Sequence, residues 1–151
     1  MTSARGTVKE KVLIVDDDAS VRESLRKVLA DAGYEVALAA DGREAAEQFE
    51  AGHVDLVLLD IGLPVKNGWE TVECITNHAP TLPIIVITGQ ANQHDMAVAA
   101  GVGALMEKPL EVNELLNTMQ TLLTEPVGRR LLRLCGHGPD QRRLSSSENR
   151  L

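Results

Sequence analysis

The sequence is poor in aromatic and sulfur-bearing side chains. Its 151 residues include one Trp, one Tyr, one Phe and two Cys. With so few rings, the core must be filled by aliphatic side chains. Cys74 and Cys135 are far apart and have no His at ligand spacing, which excludes a disulfide framework and argues against a zinc site.

Long apolar runs are also lacking. The longest nearly apolar stretch, residues 96–106, is shorter than the roughly 18 to 20 residues that a membrane span needs. The first residues are polar and lack the apolar centre of a signal peptide. We therefore expect no membrane span and a cytoplasmic location.

Charge is distributed unevenly along the chain. The net charge is −7, yet the six basic residues of the last 26 positions, all Arg, face only two acidic ones. An acidic body argues against a general nucleic-acid partner. We expect an N-terminal extension at 1–10, one domain at 11–125 and a basic, disordered tail at 126–151, in which residues 127–135 could still form one or two amphipathic turns and the composition of residues 136–151 predicts disorder.

Short apolar runs alternate with amphipathic segments five times. The predicted strands are 12–15, 34–40, 54–59, 84–87 and 104–106. The predicted helices are one between Ser20 and Gly33 and four more at 43–51, 69–78, 94–100 and 111–123. Ser20 and Glu23 have the spacing of a capping box at the first helix. This alternation predicts an α/β fold, a parallel sheet with helices on both faces.

Chemically active side chains follow the predicted strands. The first strand ends in Asp16-Asp17-Asp18, the third in Asp60, the fourth in Thr88 and the fifth in Glu107-Lys108. In a parallel α/β sheet, the crevice for ligands lies beyond the carboxyl ends of the strands. The sequence therefore predicts that these groups converge at one edge.

This set of groups suits phosphoryl transfer. Crowded carboxylates repel one another, and a hard cation such as Mg²⁺ would offset that cost by taking oxygen ligands. Asp17, Asp60 and a backbone carbonyl just after Asp60 could supply them. Lys108 would offer a positive charge to a bound anion, and Thr88 a hydroxyl. Asp60 ends the most apolar strand and is the expected nucleophile.

Five landmarks now match a known family. Together they resemble the CheY-like receiver domain of two-component response regulators, over residues 11–123. The landmarks are Val12-Leu13-Ile14-Val15-Asp16-Asp17-Asp18, Asp55-Leu56-Val57-Leu58-Leu59-Asp60-Ile61-Gly62-Leu63-Pro64, Asn67-Gly68, Ile87-Thr88-Gly89 and Lys108-Pro109.

The resemblance implies a fold and a metal site. The fold is a flavodoxin-like, doubly wound five-stranded sheet of order 2-1-3-4-5 with five helices. The implied Mg²⁺ ligands are Asp17, Asp60 and the Gly62 carbonyl, with Asp16 assisting through water. The Lys108-Pro109 bond is expected to be cis, as in the family.

The resemblance also implies a reaction. A histidine kinase or histidine phosphotransfer protein would phosphorylate Asp60, while Thr88 and Lys108 contact the phosphoryl oxygens. We expect a stand-alone regulator that signals to a downstream protein by conformational change or phosphorelay, as a monomer or weak dimer. It would not be an enzyme beyond Mg²⁺-dependent self-phosphotransfer and slow autodephosphorylation.

One position departs from the family pattern. Leu105 stands three residues before Lys108, where the family usually carries Tyr or Phe. In the family that ring moves inward together with the Thr and couples phosphorylation to the surface of the last helices. The sequence therefore does not support that output route, although a smaller rearrangement of Thr88 stays open.

Two other functions compete with this interpretation. Asp16-x-Asp18-x-Ser20 superficially resembles the D-x-D-x-[TV] motif of haloacid-dehalogenase phosphatases, but the chain is short for that fold and its cap. The Arg-rich tail could instead make the protein a docking or DNA-binding module. That tail lacks the length and pattern of a helix-turn-helix.

Overall fold

Five short strands form one parallel sheet in the computed structural model, which describes residues 9–61, 68–89 and 101–132. The strands are β1 Lys11–Val15, β2 Glu35–Ala39, β3 Leu56–Asp60, β4 Ile84–Thr88 and β5 Ala104–Glu107. Their order is β2-β1-β3-β4-β5, and every neighbouring pair is parallel. The predicted sheet and its 2-1-3-4-5 order are thus confirmed.

Helices connect the strands where the described ranges cover the connections. They are α1 Ala19–Asp31, α2 Gly42–Ala51, α3 Gly68–His78, α4 Val112–Thr124 and a short α5 Val127–Leu132. Four of the five predicted helices are found, whereas the one at 94–100 lies outside the described residues. No helix in the described ranges is long and apolar enough to cross a membrane.

Successive side chains of a strand point to opposite faces of the sheet. Because the strands are runs of consecutive apolar residues, both faces of the sheet are apolar. Leu13 and Val15 of β1 lie in the cluster that faces α2 and α3, while Val12 and Ile14 lie in the cluster that faces α1 and α4. Strand β3 is buried at Leu56–Leu59 on both faces, as its apolar run predicts. Such a strand holds its last residue, Asp60, rigidly.

The first helix begins earlier than the predicted capping box allows. Asp18, not Ser20, is the N-cap, and its carboxylate accepts hydrogen bonds from the N–H groups of Ser20 (2.8 Å) and Val21 (3.3 Å). The prediction of a capping box at Ser20 and Glu23 is wrong, because the Glu23 carboxylate pairs with Arg26 at the surface. Asp18 therefore has a structural role at this turn.

Replacing Asp18 with Ala should lower the free energy of unfolding by about 1 kcal/mol, because two N–H groups at the start of α1 lose their acceptor. Urea denaturation with and without the substitution measures this. The exposed Asp31→Ala at the other end of the helix is the control and should be close to neutral. Equal losses for the two variants would contradict the capping role.

Candidate functional site

The carboxyl ends of four strands bring the predicted residues to one edge of the sheet. Asp16 follows β1, Asp60 and Thr88 end β3 and β4, and Lys108 follows β5. Register holds the last three in place, since Asp60 pairs with Ile87 of β4 and the Lys108 N–H donates to the Thr88 carbonyl at 2.9 Å. The convergence that the sequence predicts is present for these four residues.

Asp60 and Lys108 form the central ion pair of this edge. The Lys108 Nζ lies 2.7 Å from Asp60 Oδ2. Only 3% of the Asp60 side chain is exposed, against 38% for Lys108. The ammonium therefore reaches a buried carboxylate while keeping contact with water, which leaves it able to meet an incoming anion.

Asp16 is a second buried carboxyl beside that pair. It is 5% exposed, and its Oδ1 accepts the N–H of Asp18 at 2.8 Å. The pKa of the Asp16 carboxyl is raised to about 7, chiefly by burial and also by the neighbouring Asp60, while the hydrogen bond from the Asp18 N–H lowers it. When ionised, Asp16 Oδ2 has no hydrogen-bond donor among the described residues. Two acids thus compete for charge in one small volume.

This raised pKa predicts a pH dependence for the metal-free protein. Between pH 4 and pH 7 the folded Asp16 holds its proton more tightly than the unfolded one, so the contribution of Asp16 to stability falls as pH rises, by at most about 1.4 kcal/mol per pH unit. Urea unfolding in EDTA across this range measures the slope. Asp16→Asn should flatten it, and an unchanged slope in that variant would contradict the assignment.

The buried carboxyls fit a hard cation. An orphaned, buried Oδ2 on Asp16, next to the carboxylate of Asp60, is a pair of oxygen donors of the kind Mg²⁺ prefers. Asp17 is exposed at the same turn, and the described ranges hold no group of three or more Asp, Glu, His or Cys side chains placed around a metal. The predicted Gly62 carbonyl lies outside the described residues. The full ligand set stays a prediction.

The structure also bears on the residues predicted at the ends of β4 and β5. Thr88 is 1% exposed at the end of β4, and the Lys108-Pro109 peptide bond is cis, as expected. Leu105 lies opposite Val86 and is buried in the cluster that faces α2 and α3. The position where the family usually has an aromatic ring is filled here by an aliphatic core residue.

Arg22 is a polar contact of this edge that the sequence did not predict. Its Nη1 donates to the main-chain oxygen of Asp16 at 2.6 Å. Helical periodicity places Arg22 off the apolar face of α1, where it resembles any solvated Arg. A hydrogen bond to a main-chain carbonyl six residues earlier cannot be predicted from the pattern of apolar residues.

Comparison with known proteins gives a consistent result. The model of the response regulator receiver domain family matches residues 12–120. Response regulator MprA of Mycolicibacterium vanbaalenii is 38% identical over 115 residues, which are 75% of this chain and 50% of that protein. Chemotaxis response regulator CheY4 of Vibrio cholerae has 34% identity and a TM-score of 0.68, over 76% of this chain and 99% of that one.

A solved structure with bound ligands is also similar. Response regulator TrrA of Thermotoga maritima, in complex with Mg²⁺ and BeF, has 30% identity and a TM-score of 0.67, over 75% of this chain and 98% of that one. The chain spans about half the length of the curated MprA relatives that it matches. From its fold, its strand-end residues and these matches, the chain belongs to the response regulator receiver domain family.

Proposed function

We propose that this chain accepts a phosphoryl group on Asp60 from a histidine kinase or a histidine phosphotransfer protein. The observation that carries the proposal is the buried Asp60 carboxylate, paired with Lys108 at 2.7 Å and flanked by the buried Asp16. A carboxylate in such a pocket can act as a nucleophile toward phosphorus. The ammonium beside it can bind the incoming phosphoryl group, and the acidic neighbour can help to hold a metal ion. A purely structural ion pair would not need the second acid.

The reaction follows from these groups. A carboxylate oxygen of Asp60 attacks phosphorus, the bond from phosphorus to the donor's imidazole nitrogen breaks, and the imidazole keeps the electron pair and takes a proton. The Lys108 ammonium neutralises charge on the phosphoryl oxygens, and the Thr88 hydroxyl donates to one of them. Mg²⁺, which Asp17, Asp60 and the Gly62 carbonyl would hold, would supply further positive charge to stabilise the phosphoryl oxygens.

The metal part of the proposal rests on two supports. Asp16 and Asp60 provide the buried oxygen donors, and Asp17 and the Gly62 carbonyl are the proposed remaining ligands. The similar protein TrrA was solved in complex with Mg²⁺ and BeF, which supports the proposal of a Mg²⁺ site in this chain. We propose Asp16 as an indirect ligand through water, because its Oδ1 is already engaged with the Asp18 N–H.

We propose that phosphorylation of Asp60 is transmitted to the protein surface without the movement of an aromatic side chain. Leu105 is buried beside β4, so phosphorylation would be transmitted by a smaller movement of Thr88 toward a downstream protein partner. We propose phosphorelay or conformational signalling with no catalytic turnover beyond self-phosphotransfer and slow autodephosphorylation. Cytoplasmic location, a monomeric or weakly dimeric state and the lack of a nucleic-acid partner stay predictions, as do the domain bounds at 10 and 125.

The phosphatase alternative is tested by turnover. With Mg²⁺ and acetyl phosphate the protein should gain one phosphoryl group per chain, and with a phosphomonoester such as p-nitrophenyl phosphate it should release less than one product per chain within an hour. The Asp16-x-Asp18-x-Ser20 motif predicts the opposite pattern. Asp18 caps α1 with its carboxylate, which favours the receiver function over that motif. Repeated turnover of the monoester would contradict our proposal.

A further inference from the structure

The acidic turn after β1 is held by one cation on α1. Arg22 Nη1 donates to the Asp16 carbonyl at 2.6 Å, and the Arg22 backbone N–H donates to the Asp18 carbonyl at 3.0 Å. The same residue therefore contacts the turn at both ends, on either side of Asp17. Arg26, one helical turn later, forms an exposed ion pair with Glu23 and has no hydrogen bond to the acidic turn in the described part of the chain.

We propose that Arg22 is a positioning residue that orients Asp17 for the cation, an inference that rests on the proposed function. The Asp16 carbonyl and the Asp17 nitrogen belong to one planar peptide unit. Fixing the carbonyl oxygen therefore fixes the plane from which the Asp17 Cα departs. Arg22 would thereby restrict the directions in which the Asp17 carboxylate can leave the turn, without being a metal ligand itself.

Other contacts leave this one orientation undetermined. Asp16 Oδ1 takes the Asp18 N–H, and the Asp18 carboxylate takes the N–H groups of Ser20 and Val21. These bonds fix the entry to the turn and the start of α1. Among the described residues, the guanidinium of Arg22 is the one side chain that donates a hydrogen bond to the carbonyl of the Asp16–Asp17 peptide.

The charge of Arg22 and its hydrogen bond have opposite effects on metal affinity. A guanidinium close to three consecutive Asp residues repels an incoming dication, so its charge alone weakens Mg²⁺ binding. Its hydrogen bond preorganises Asp17 and strengthens binding. Removing both at once shows which effect is larger, because the two predict shifts of opposite sign.

The experiment is an isothermal titration of Mg²⁺ into the metal-free full chain. In Arg22→Met the apolar stem is kept and the donor is lost, and the Mg²⁺ Kd should rise about 10-fold, as for other residues that orient metal ligands. Arg22→Lys keeps a charge and a donor and should recover most of the affinity. Arg26→Met removes the same charge one turn away and should leave the Kd within about 2-fold of the wild type.

Two other results of the titration in Arg22→Met would overturn the inference. A lower Kd in Arg22→Met would mean that charge repulsion outweighs any positioning of Asp17, and an unchanged Kd with reduced stability to urea in EDTA would mean that Arg22 supports the fold rather than the metal site. If Arg22→Met does not fold, Arg22→Gln, which is uncharged and shorter, is titrated with the same expected weakening. Wild-type protein that binds no Mg²⁺ would contradict both this inference and the metal part of the proposed function.

Discussion

Asp60→Asn is expected to abolish phosphorylation by acetyl phosphate in the presence of Mg²⁺. An amide has no anionic oxygen with which to attack phosphorus, and no other described carboxylate shares the contact with Lys108 at 2.7 Å. Intact-protein mass spectrometry should show the gain of one phosphoryl group in the wild type and none in the variant. The effect is all or none because the nucleophile itself is removed.

The matched control for this variant is Asp31→Asn, which changes an exposed Asp at the end of α1. It should label at the wild-type rate. Asp60→Asn should remain folded, since the neutral amide also relieves the repulsion with Asp16. Labelling that persists in Asp60→Asn would mean that the phosphoryl group is accepted elsewhere.

Lys108→Met is expected to slow labelling by a factor of about 100 or more, because a preorganised cation at the phosphoryl oxygens is lost. In EDTA the same variant should lose about 1 to 3 kcal/mol of unfolding free energy, since the buried Asp60 carboxylate loses its ion pair with the partly exposed Lys108. Rapid-quench labelling and urea unfolding measure the two effects separately.

Lys27→Met on the exposed side of α1 is the charge-matched control for Lys108→Met. It should change neither the labelling rate nor the stability by more than about 2-fold and 0.5 kcal/mol respectively. Saturating Mg²⁺ should recover part of the stability that Lys108→Met loses, because another cation then faces Asp60. A labelling rate within about 2-fold of the wild type would exclude Lys108 from the reaction.

The sheet and the site edge could be predicted because both depend on local pattern. Apolar runs such as Leu56–Leu59 specify strands that are buried on both faces. Once the strands are parallel, the residue after each run must lie at the same edge, so Asp60, Thr88 and Lys108 meet without any knowledge of packing.

The features that sequence alone missed depend on register and on long side chains. The N-cap of α1 is Asp18, two residues before the predicted Ser20, because the Asp18 carboxylate accepts hydrogen bonds from the first N–H groups of the helix. Arg22 was missed because its target is a main-chain oxygen, and no residue type at Asp16 encodes that contact. The burial of Asp16 exceeds what an acidic triplet suggests, since only the fold shows which of three adjacent acids turns inward.

The central claim is that buried acids at two strand ends and the ammonium of Lys108 form one phosphoryl-accepting pocket. Its most direct test is peptide mapping by mass spectrometry after treatment of the wild-type chain with acetyl phosphate, with Mg²⁺ and with EDTA. The account predicts one phosphoryl group, on Asp60, that appears only with Mg²⁺. A phosphoryl group on another residue, or labelling of Asp60 that is equal in EDTA, would contradict it.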